Sequence, residues 1–543
     1  MRVLRAGLDA VLVEVDTLDE ALALLGSLHE DPPDGVTDLV PGARTVLLRY
    51  VPARTTAERL AQQVGRLRPG STTPAAFEPA AGEPTAGELV EVPVVYDGED
   101  LAEVAELRGL STGEVVGRHT APVYSVAFTG FAPGFAYLSG GDPALRVPRR
   151  ETPRTSIPAG SVAIAGEFSG VYPRAGPGGW RLIGRTDVVL FDLDREPPAL
   201  LRPGGRVRFL AVREEVRARP TATGTGSARL STAATQPTGQ RPRGTLEVLD
   251  PGAQALLQDL GRSGVASLGV SPSGAMDRGA LRRANRLVGN PPAATTVEAA
   301  LGGLTLRAHG DVVVATAGAP ASVTVAGRAF PPGTAVAVDD GETLELGAPA
   351  TGVYTYVAVR GGLDVPVVLG SGSRDVLAGL GPEPLRGGDR LAVGTDAVAA
   401  VAIEEVAPDL PAPGETVTLD VVLGPRTDWF PPSALDLFIA QDWAVKRSNR
   451  VGLRLAGEVP LERIDNAELP SEGTVRGALQ VPPDGQPVLF MADHPLTGGY
   501  PVAGAVAAYD LDRAAQLPVG ASVRFRIAIS FAELATTEQE GAR

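Results

Sequence analysis

Short runs of Val, Leu and Ile, separated by turns rich in glycine and proline, make up most of this 543-residue chain. Runs of this length between such turns predict β-strands, of which 10–15 and 45–50 are the clearest near the N-terminus. Apolar residues at the spacing of a helix are rarer. A capping box at 17–20 precedes a stripe of leucines, and a second one at 55–58 precedes Leu60, Val64 and Leu67, so each predicts a helix. Further short helices are predicted at 101–107, 111–119, 278–288 and 433–440.

This order of elements predicts a mainly β protein: tandem β-barrels with a small N-terminal α+β domain. Residues 1–90 form the α+β domain, of βαβ type, and 91–215 form a barrel. Residues 216–243 contain five arginines and no acid, and they predict a flexible linker. A first barrel domain of the second half is predicted at 244–415, a second barrel at 416–535, and a frayed tail at 536–543.

A weak internal repeat supports this division. The pattern Leu-x-x-Gly-x-x-Val-Arg-Phe occurs at 201–209 and again at 517–525, and a Gly-Gly-aromatic triplet precedes each, at 178–180 and 498–500. Leu385-x-x-Gly388-x-x-Leu391 is a fainter third copy. The repeat predicts two or three copies of one barrel. The alternative is that a turn followed by a strand recurs in any β protein.

The amino-acid composition argues against several classes of function. Lysine occurs once, as Lys446, among 49 basic residues, and its neighbours fit neither a phosphate-binding P-loop nor a biotin-carrier turn. Cysteine is absent, which excludes disulfides and thiolate chemistry. The net charge of −15 argues against nucleic-acid binding. No apolar run reaches the length of a membrane span, and acidic residues near the N-terminus argue against a signal peptide, so we expect a cytoplasmic protein without membrane contact.

In the first half, two glycine-rich segments at 124–138 and 177–186 could form a ligand site. Glycine lets a backbone approach a ligand closely, and aromatic rings can wall a pocket, although the same rings could simply fill the barrel. His119 ends a short helix, where it could act chemically or only favour the helix dipole. Arginine must replace lysine as the anion ligand, unless the arginines form a solvated face. The candidates are His119, Phe131, Gly134, Arg154, Gly178, Gly179, Trp180 and Arg185.

In the second half, Ser273-Gly274 precedes the helix at 278–288, where free N–H groups could bind an anion. Asp277 could be a catalytic base or the N-cap of that helix. The other candidates lie in polar loops at strand ends, where sites are common: Arg262, Asn449, Arg450, Gln480, Asp493, Gly498, Gly499 and Tyr500. The four histidines lack zinc-ligand spacing, so the metal ligands are left unassigned.

Longer motifs carry a family resemblance. His119-Thr120, GFAPGFAYL, Pro153-Arg154, PAGSVAI, Tyr172-Pro173 and PGGWRLIGRT together resemble the KipI-like family, which also includes allophanate hydrolase subunit 1 and the B subunit of 5-oxoprolinase. QDLGR, SPSGAMD, SNRVGLRL, SEG, GALQVP and TGGYPVAGAV resemble the KipA-like family, which includes allophanate hydrolase subunit 2 and the C subunit of 5-oxoprolinase. The chain therefore looks like a fusion of the two, and the resemblance implies cyclophilin-like barrels in both halves.

The resemblance implies three functions. The first is an ATP-dependent 5-oxoprolinase component that phosphorylates 5-oxoproline, with ring opening to glutamate completed by a separate A-type partner. ATP and Mg²⁺ are then expected, with His119, Asp277 and Asp493 as catalytic candidates and the remaining candidates binding substrate or nucleotide. The second is a biotin-dependent carboxyltransferase component acting on urea or a related amide. The third is a non-enzymatic inhibitor or antagonist of a histidine kinase. The residues favour the first, and they leave a homo-oligomer open.

Overall fold

The computed structural model describes residues 1–67, 89–150, 152, 154–213, 244–402, 408–465 and 469–536. The predicted linker at 216–243 lies outside these residues, and so does most of the predicted tail. Within the described part of the chain, no helix is both long and apolar enough to cross a bilayer. The mainly β architecture is confirmed.

The N-terminal α+β domain is one antiparallel sheet with two helices. Its elements are β1 Arg2–Arg5, β2 Ala10–Glu14, α1 Leu18–Glu30, β3 Val36–Pro41, β4 Thr45–Tyr50 and α2 Ala57–Arg66. Thr17 and Thr56 accept hydrogen bonds from the first-turn amides of Glu20 and Arg59, which starts both helices close to the predicted residues. The βαβ prediction was wrong in one respect. The chain returns from α1 through the β3–β4 hairpin, so β2 and β4 pair antiparallel in the order β1-β2-β4-β3.

The second unit is the first barrel. It contains β5 Leu89–Val94, α3 Leu101–Arg108, α4 Thr112–Thr120, β6 Tyr124–Thr129, β7 Ala136–Ser139, β8 Arg154–Ile157, β9 Ser161–Ala165, β10 Phe168–Val171, β11 Gly176–Gly178, β12 Arg181–Arg185 and β13 Arg206–Ala211. Seven strands pair in the order β12-β9-β10-β7-β6-β13-β5. A bridge between Val95 and Arg185, with two 2.9 Å backbone hydrogen bonds, joins the two edges. The sheet thereby closes on itself and has no free edge at this point.

The third unit consists of two stacked sheets with one helix. Its elements are β14 Thr245–Pro251, β15 Gln254–Gln258, α5 Arg278–Leu287, β16 Thr296–Ala300, β17 Leu304–His309, β18 Val312–Gly318, β19 Val323–Val325, β20 Arg328–Phe330, β21 Ala335–Val338, β22 Thr343–Leu346, β23 Tyr354–Val359, β24 Leu363–Asp364 and β25 Arg390–Val393. A seven-stranded sheet, β20-β19-β22-β17-β14-β25-β24, and a five-stranded sheet, β15-β16-β23-β18-β21, enclose one apolar core. This strand order differs from that of the first barrel, so the predicted third copy of the repeat was wrong.

The fourth unit is the second barrel. It contains β26 Thr416–Leu423, α6 Pro432–Ala440, β27 Trp443–Ser448, β28 Gly452–Ala456, β29 Glu472–Gly473, β30 Ala478–Gln480, β31 Val488–Phe490, β32 Thr497–Gly498, β33 Val502–Val506, α7 Leu511–Ala515 and β34 Ser522–Ile529. Seven strands close in the order β26-β33-β30-β31-β28-β27-β34. Its core continues into the third unit, because α5 packs between this barrel and the five-stranded sheet.

The two barrels have the same topology. Read from β12 and from β33, the orders β12-β9-β10-β7-β6-β13-β5 and β33-β30-β31-β28-β27-β34-β26 match strand for strand. The single parallel pair is also equivalent, β13 with β5 and β34 with β26. A two-stranded accessory sheet accompanies each barrel, β11 with β8 and β32 with β29. The internal repeat is therefore confirmed for two copies, and its glycine pairs fall at equivalent accessory strands.

The N-terminal domain packs against the second barrel, although more than 400 residues separate them. Ala6, Leu12 and Leu47 share an apolar cluster with Val475 and Phe490. Nearby, the buried guanidinium of Arg426 donates to Glu472 and to Glu14, at 2.7 Å in each case. The first and last units are thus held together by apolar burial and a buried charge network.

Candidate functional site at the junction of the two halves

His119 is a buried core residue of the first barrel. The Tyr96 hydroxyl is hydrogen-bonded to Nδ1 at 2.7 Å, and the Ser169 hydroxyl is hydrogen-bonded to Nε2 at 2.8 Å. Burial lowers the pKa of His119 to about 3, so the ring is neutral at physiological pH and adds no charge to the helix dipole. Phe209 lies against the ring, with the two centroids 4.5 Å apart. This geometry gives His119 a structural role, and its catalytic role stays a prediction.

Arg154 and Arg185 both pair with carboxylates of the chain. Arg154 makes a two-pronged contact with Asp100 at 2.8 Å, and Arg185 donates to Asp97 at 2.8 Å. Burial works against the ionisation of Asp100, but the hydrogen bonds from Arg154 and from the Leu182 amide lower its pKa. The fork of Arg154, which we predicted to hold a substrate anion, is therefore occupied by an internal one.

Several predicted residues of the second half meet in one buried charge network. Arg450, 1% exposed, donates to both oxygens of Asp493 at 2.9 and 3.0 Å and to Glu298. Ser273, which has a positive φ of 55°, donates to Asp493 at 2.6 Å. Gly274 offers its carbonyl to Arg450 at 2.6 Å. Burial alone would lower the pKa of Arg450, but the charges of Asp493 and Glu298 outweigh burial and raise it.

Asp277 is the N-cap of α5, one of the two roles that the sequence left open. Its Oδ1 accepts from the Ala280 amide at 2.7 Å, and its Oδ2 accepts from Gln516 at 2.9 Å. Burial and the charge of Asp512 raise the pKa of Asp277 to about 6.

The predicted anion site at the start of α5 was wrong. Asp512 accepts from the amides of Arg278 and Gly279, both at 2.9 Å, and Asp277 holds the next amide. Carboxylates of the protein itself already occupy the N–H groups that a ligand would need.

Two other predicted residues have clear structural roles. The Asn449 side chain accepts from the Val451 and Gly452 amides, both at 3.0 Å, which stabilises its own turn. Arg262 is buried and donates to the Ser373 carbonyl at 2.7 Å. Burial lowers the pKa of Arg262, and the charges of Asp375 and Asp259 oppose that shift.

The aromatic residues of the first half form a packed layer on the outer face of the barrel sheet. Phe135 contacts Trp180 edge-on at 5.4 Å between centroids, and it contacts Phe131 at 5.4 Å. Phe131 has a φ of 66°, and the Gly134 amide donates to the Leu268 carbonyl at 3.1 Å. The layer is therefore a packed core between the first barrel and its neighbours. This arrangement fits the interpretation that the rings fill space better than the interpretation that they wall an open pocket.

Arg149 is the residue at which the two halves converge. Its guanidinium donates to Ser471 Oγ of the second half at 3.1 Å, and Ser471 donates to the Tyr137 hydroxyl at 3.3 Å. The next amide, of Arg150, donates to the Gly179 carbonyl at 2.8 Å, which ties this loop to the glycine-rich accessory strand β11. Arg149 is half-buried.

The equivalent glycine pairs of the two barrels lie around Arg149. A Cβ on Gly499 would come 2.6 Å from Arg149 Nη1, and a Cβ on Gly178 would come 2.3 Å from the Tyr172 hydroxyl. A Cβ on Gly498 would come 2.5 Å from Gln480 Nε2, which donates to the Tyr500 carbonyl. A side chain at any of these positions would force the neighbouring polar group to shift, because the backbone lies directly against it. We call Arg149, Ser471, Tyr137, Gly178, Gly179 and Gly499 the junction site.

Sequence reasoning found the glycines but missed the central residues. The sequence did not single out Arg149, and only the fold distinguishes it from Arg154 and Arg185. Ser471 lies in the SEG motif, with no local signal for its partner 322 residues away. Glu298 and Tyr356, which complete the network around Arg450, lie in strands that gave no chemical signal at all.

Two family models match the chain: carboxyltransferase domain, subdomain C and D, at residues 1–201, and carboxyltransferase domain, subdomain A and B, at 268–527. The chain belongs to the carboxyltransferase-domain family. Within it, the first half is similar to the B subunits of 5-oxoprolinases and the second half to their C subunits, as the motifs predicted.

Named relatives support both halves. The second half is 35% identical to the 5-oxoprolinase C subunit of Escherichia coli (strain K12) over 287 residues, which is 52% of this chain and 90% of the relative. The first half is 52% identical to the 5-oxoprolinase B subunit of Escherichia coli O157:H7 over 130 residues, which is 23% of this chain and 60% of the relative. The crystal structure of TTHA0988 superposes with a TM-score of 0.80 at 36% identity, covering 96% of this chain and all of that one.

Proposed function

We propose that this chain is the B/C component of an ATP-dependent 5-oxoprolinase, which activates 5-oxoproline by phosphorylation for ring opening to glutamate with a separate A-type partner. The junction site is the observation that carries the proposal, since it is assembled from both halves around the guanidinium of Arg149. 5-Oxoproline is a small lactam with a carboxylate, and the arginine fork matches a carboxylate with two parallel hydrogen bonds.

In this proposal the residues position the substrate. Arg149 binds its carboxylate, and Ser471 keeps the guanidinium in place. The lactam oxygen then takes the γ-phosphoryl group as ADP leaves, and two waters are consumed in giving glutamate and phosphate. Such a transfer depends mainly on positioning and charge stabilisation.

Mg²⁺ is expected to accompany ATP, because it usually binds through phosphates and one or two carboxylates. Among the described residues, no group of three or more His, Asp or Glu is placed to hold a metal ion. The proposal therefore names no protein ligand for Mg²⁺.

The test is 5-oxoproline-dependent ADP release by the chain purified together with its A-type partner. Losing a hydrogen bond to a charged group costs about 1.5–3 kcal/mol, so Arg149→Met should raise the KM for 5-oxoproline about 10- to 100-fold. Gly499→Ala should act in the same direction, since its methyl group meets Arg149. Gly176→Ala, on β11 with open space around the new methyl, is the control and should match wild type. Unchanged kinetics in both test variants would refute the role of the junction site.

A carboxyltransferase is the second candidate, favoured by the family models and by urea amidolyase of Saccharomyces cerevisiae. That relative is 32% identical over 304 residues, which is 52% of this chain but only 16% of the relative. Lys446, the single lysine, is exposed on β27 without a biotin-carrier motif, so biotin would have to be attached outside these 543 residues. Biotin-dependent carboxyl transfer to urea, with no turnover of 5-oxoproline, would favour this candidate. No turnover with either substrate, together with binding to a histidine kinase, would favour a Kip-type regulator.

A further inference from the structure

A polar cavity that Arg149 does not line lies where three units of the chain meet. It has a volume of about 200 Å³ and is lined by Arg49 of β4, Arg278 and Arg282 of α5, Arg476 of the second barrel, and Asp9 and Asp512, among others. We call this cavity the arginine cleft. Because its arginines come from positions far apart in sequence, only the tertiary structure brings them together.

The lining of the arginine cleft carries an excess of positive charge. Four guanidiniums face two carboxylates, which leaves about two positive charges in the lining. One of those carboxylates, Asp512, already accepts from two amides at the start of α5. A phosphate group carries about 1.5 to 2 negative charges at neutral pH, which matches this excess better than a single carboxylate does.

Two of the guanidiniums also have unused donors. Arg278 Nε and Arg476 Nε are buried without a hydrogen-bond partner, although other nitrogens of these side chains donate to the Ser273 and Met276 carbonyls. A buried donor without a partner costs free energy, which a bound anion would recover. Burial and the neighbouring charges of Arg476 and Arg49 lower the pKa of Arg278 to about 9. The guanidiniums of the cleft therefore repel one another.

We propose that the arginine cleft is a binding site for a phosphate-group anion, such as a polyphosphate chain. Its volume is below the roughly 300–1,000 Å³ of pockets that enclose a drug-sized ligand, so it suits the phosphates and not a whole nucleotide. Guanidiniums pair with phosphate oxygens through two parallel hydrogen bonds. The proposal does not depend on 5-oxoproline as the substrate.

The test is calorimetric titration of the full chain alone, with inorganic triphosphate, ATP and citrate as probes. Arg49→Gln and Arg282→Gln each remove one lining charge at a partly or fully exposed position, so both variants are expected to fold. Each should weaken triphosphate binding about tenfold or more, since a charged hydrogen bond is lost. Arg513→Gln removes an exposed charge beside Asp512 that does not line the cleft, and it should leave binding unchanged.

The probes separate the possible sources of the anion. Equal affinities for triphosphate and ATP would support a site that contacts only the phosphate groups. Tighter binding of ATP would indicate that the natural ligand is a nucleotide. The proposal is overturned if triphosphate does not bind, if citrate binds as tightly, or if Arg513→Gln weakens binding as much as the two cleft variants. Because no turnover is measured, failure here is distinct from failure of the 5-oxoprolinase assay.

Discussion

Replacing Arg450 with methionine should strongly destabilise the contact between the second barrel and the third unit, where Arg450 donates to Glu298 and to the Gly274 carbonyl. Arg450 is 1% exposed, and its two acidic partners, Asp493 and Glu298, are 0% and 2% exposed. Methionine fills much of the same space but leaves two buried carboxylates without a cation. Removing one partner of a buried ion pair costs about 3–5 kcal/mol, so we expect a loss of that size in the free energy of unfolding.

The loss should depend on the charges of the two acidic partners. Combining Arg450→Met with Asp493→Asn and Glu298→Gln removes the buried charges. That leaves a cost of about 1–3 kcal/mol from imperfect hydrogen bonds, so about 2 kcal/mol should be recovered.

Native-state hydrogen exchange of peptides covering 443–456 measures the stability of the unit that contains Arg450, which suits a chain with several domains. Arg454→Met, at an exposed position on β28, is the matched control and should change the free energy by no more than about 0.5 kcal/mol. If Arg450→Met exchanges like Arg454→Met, or if the triple variant recovers none of the lost free energy, the argument from uncompensated buried charge is refuted.

Three further outcomes are expected. Burial lowers the pKa of His119 to about 3 in the folded protein, against about 6.5 in the unfolded chain, so its contribution to stability is complete above pH 6.5. That contribution falls by up to about 1.4 kcal/mol per pH unit as the pH drops. The free energy of unfolding, measured with urea at pH values from 7 to 4, should therefore fall less steeply with pH in His119→Phe than in wild type. Asp277→Asn should lower the free energy of unfolding by about 1–3 kcal/mol, measured by thermal unfolding, because its new NH₂ group faces the NH₂ group of Gln516. Asn and Asp cap a helix equally well, so an unchanged stability would contradict a role for the Gln516 contact. Arg426→Met should speed hydrogen exchange in β2, because Glu14 loses its buried partner, and unchanged exchange there would count against this charge network as the link to the N-terminal domain.

The local elements follow closely from the sequence. The helix at Leu18–Glu30 begins after Thr17, as its capping box predicts, and Thr45–Tyr50 is a strand over the predicted residues. The repeated Leu-x-x-Gly-x-x-Val-Arg-Phe pattern marks β13 and β34, the equivalent strands of two barrels with identical strand order. These features depend on side-chain periodicity, on caps and on turn residues, all of which act within a few positions of the chain.

What the sequence determined by itself was the family, the two barrels and the places where backbone must come close to other groups, since glycine pairs such as Gly178-Gly179 mark those places directly. Which polar residues share a site was decided only by the tertiary structure. Arg149 and Arg154 are five residues apart, yet one contacts Ser471 across the junction and the other is held by Asp100. His119 looked reactive in the sequence and is a neutral core residue, because burial, which no local pattern encodes, disfavours its charged form. Partners of this kind are set by how domains hundreds of residues apart pack together, and that packing fixes both the electrostatics and the accessibility of each group.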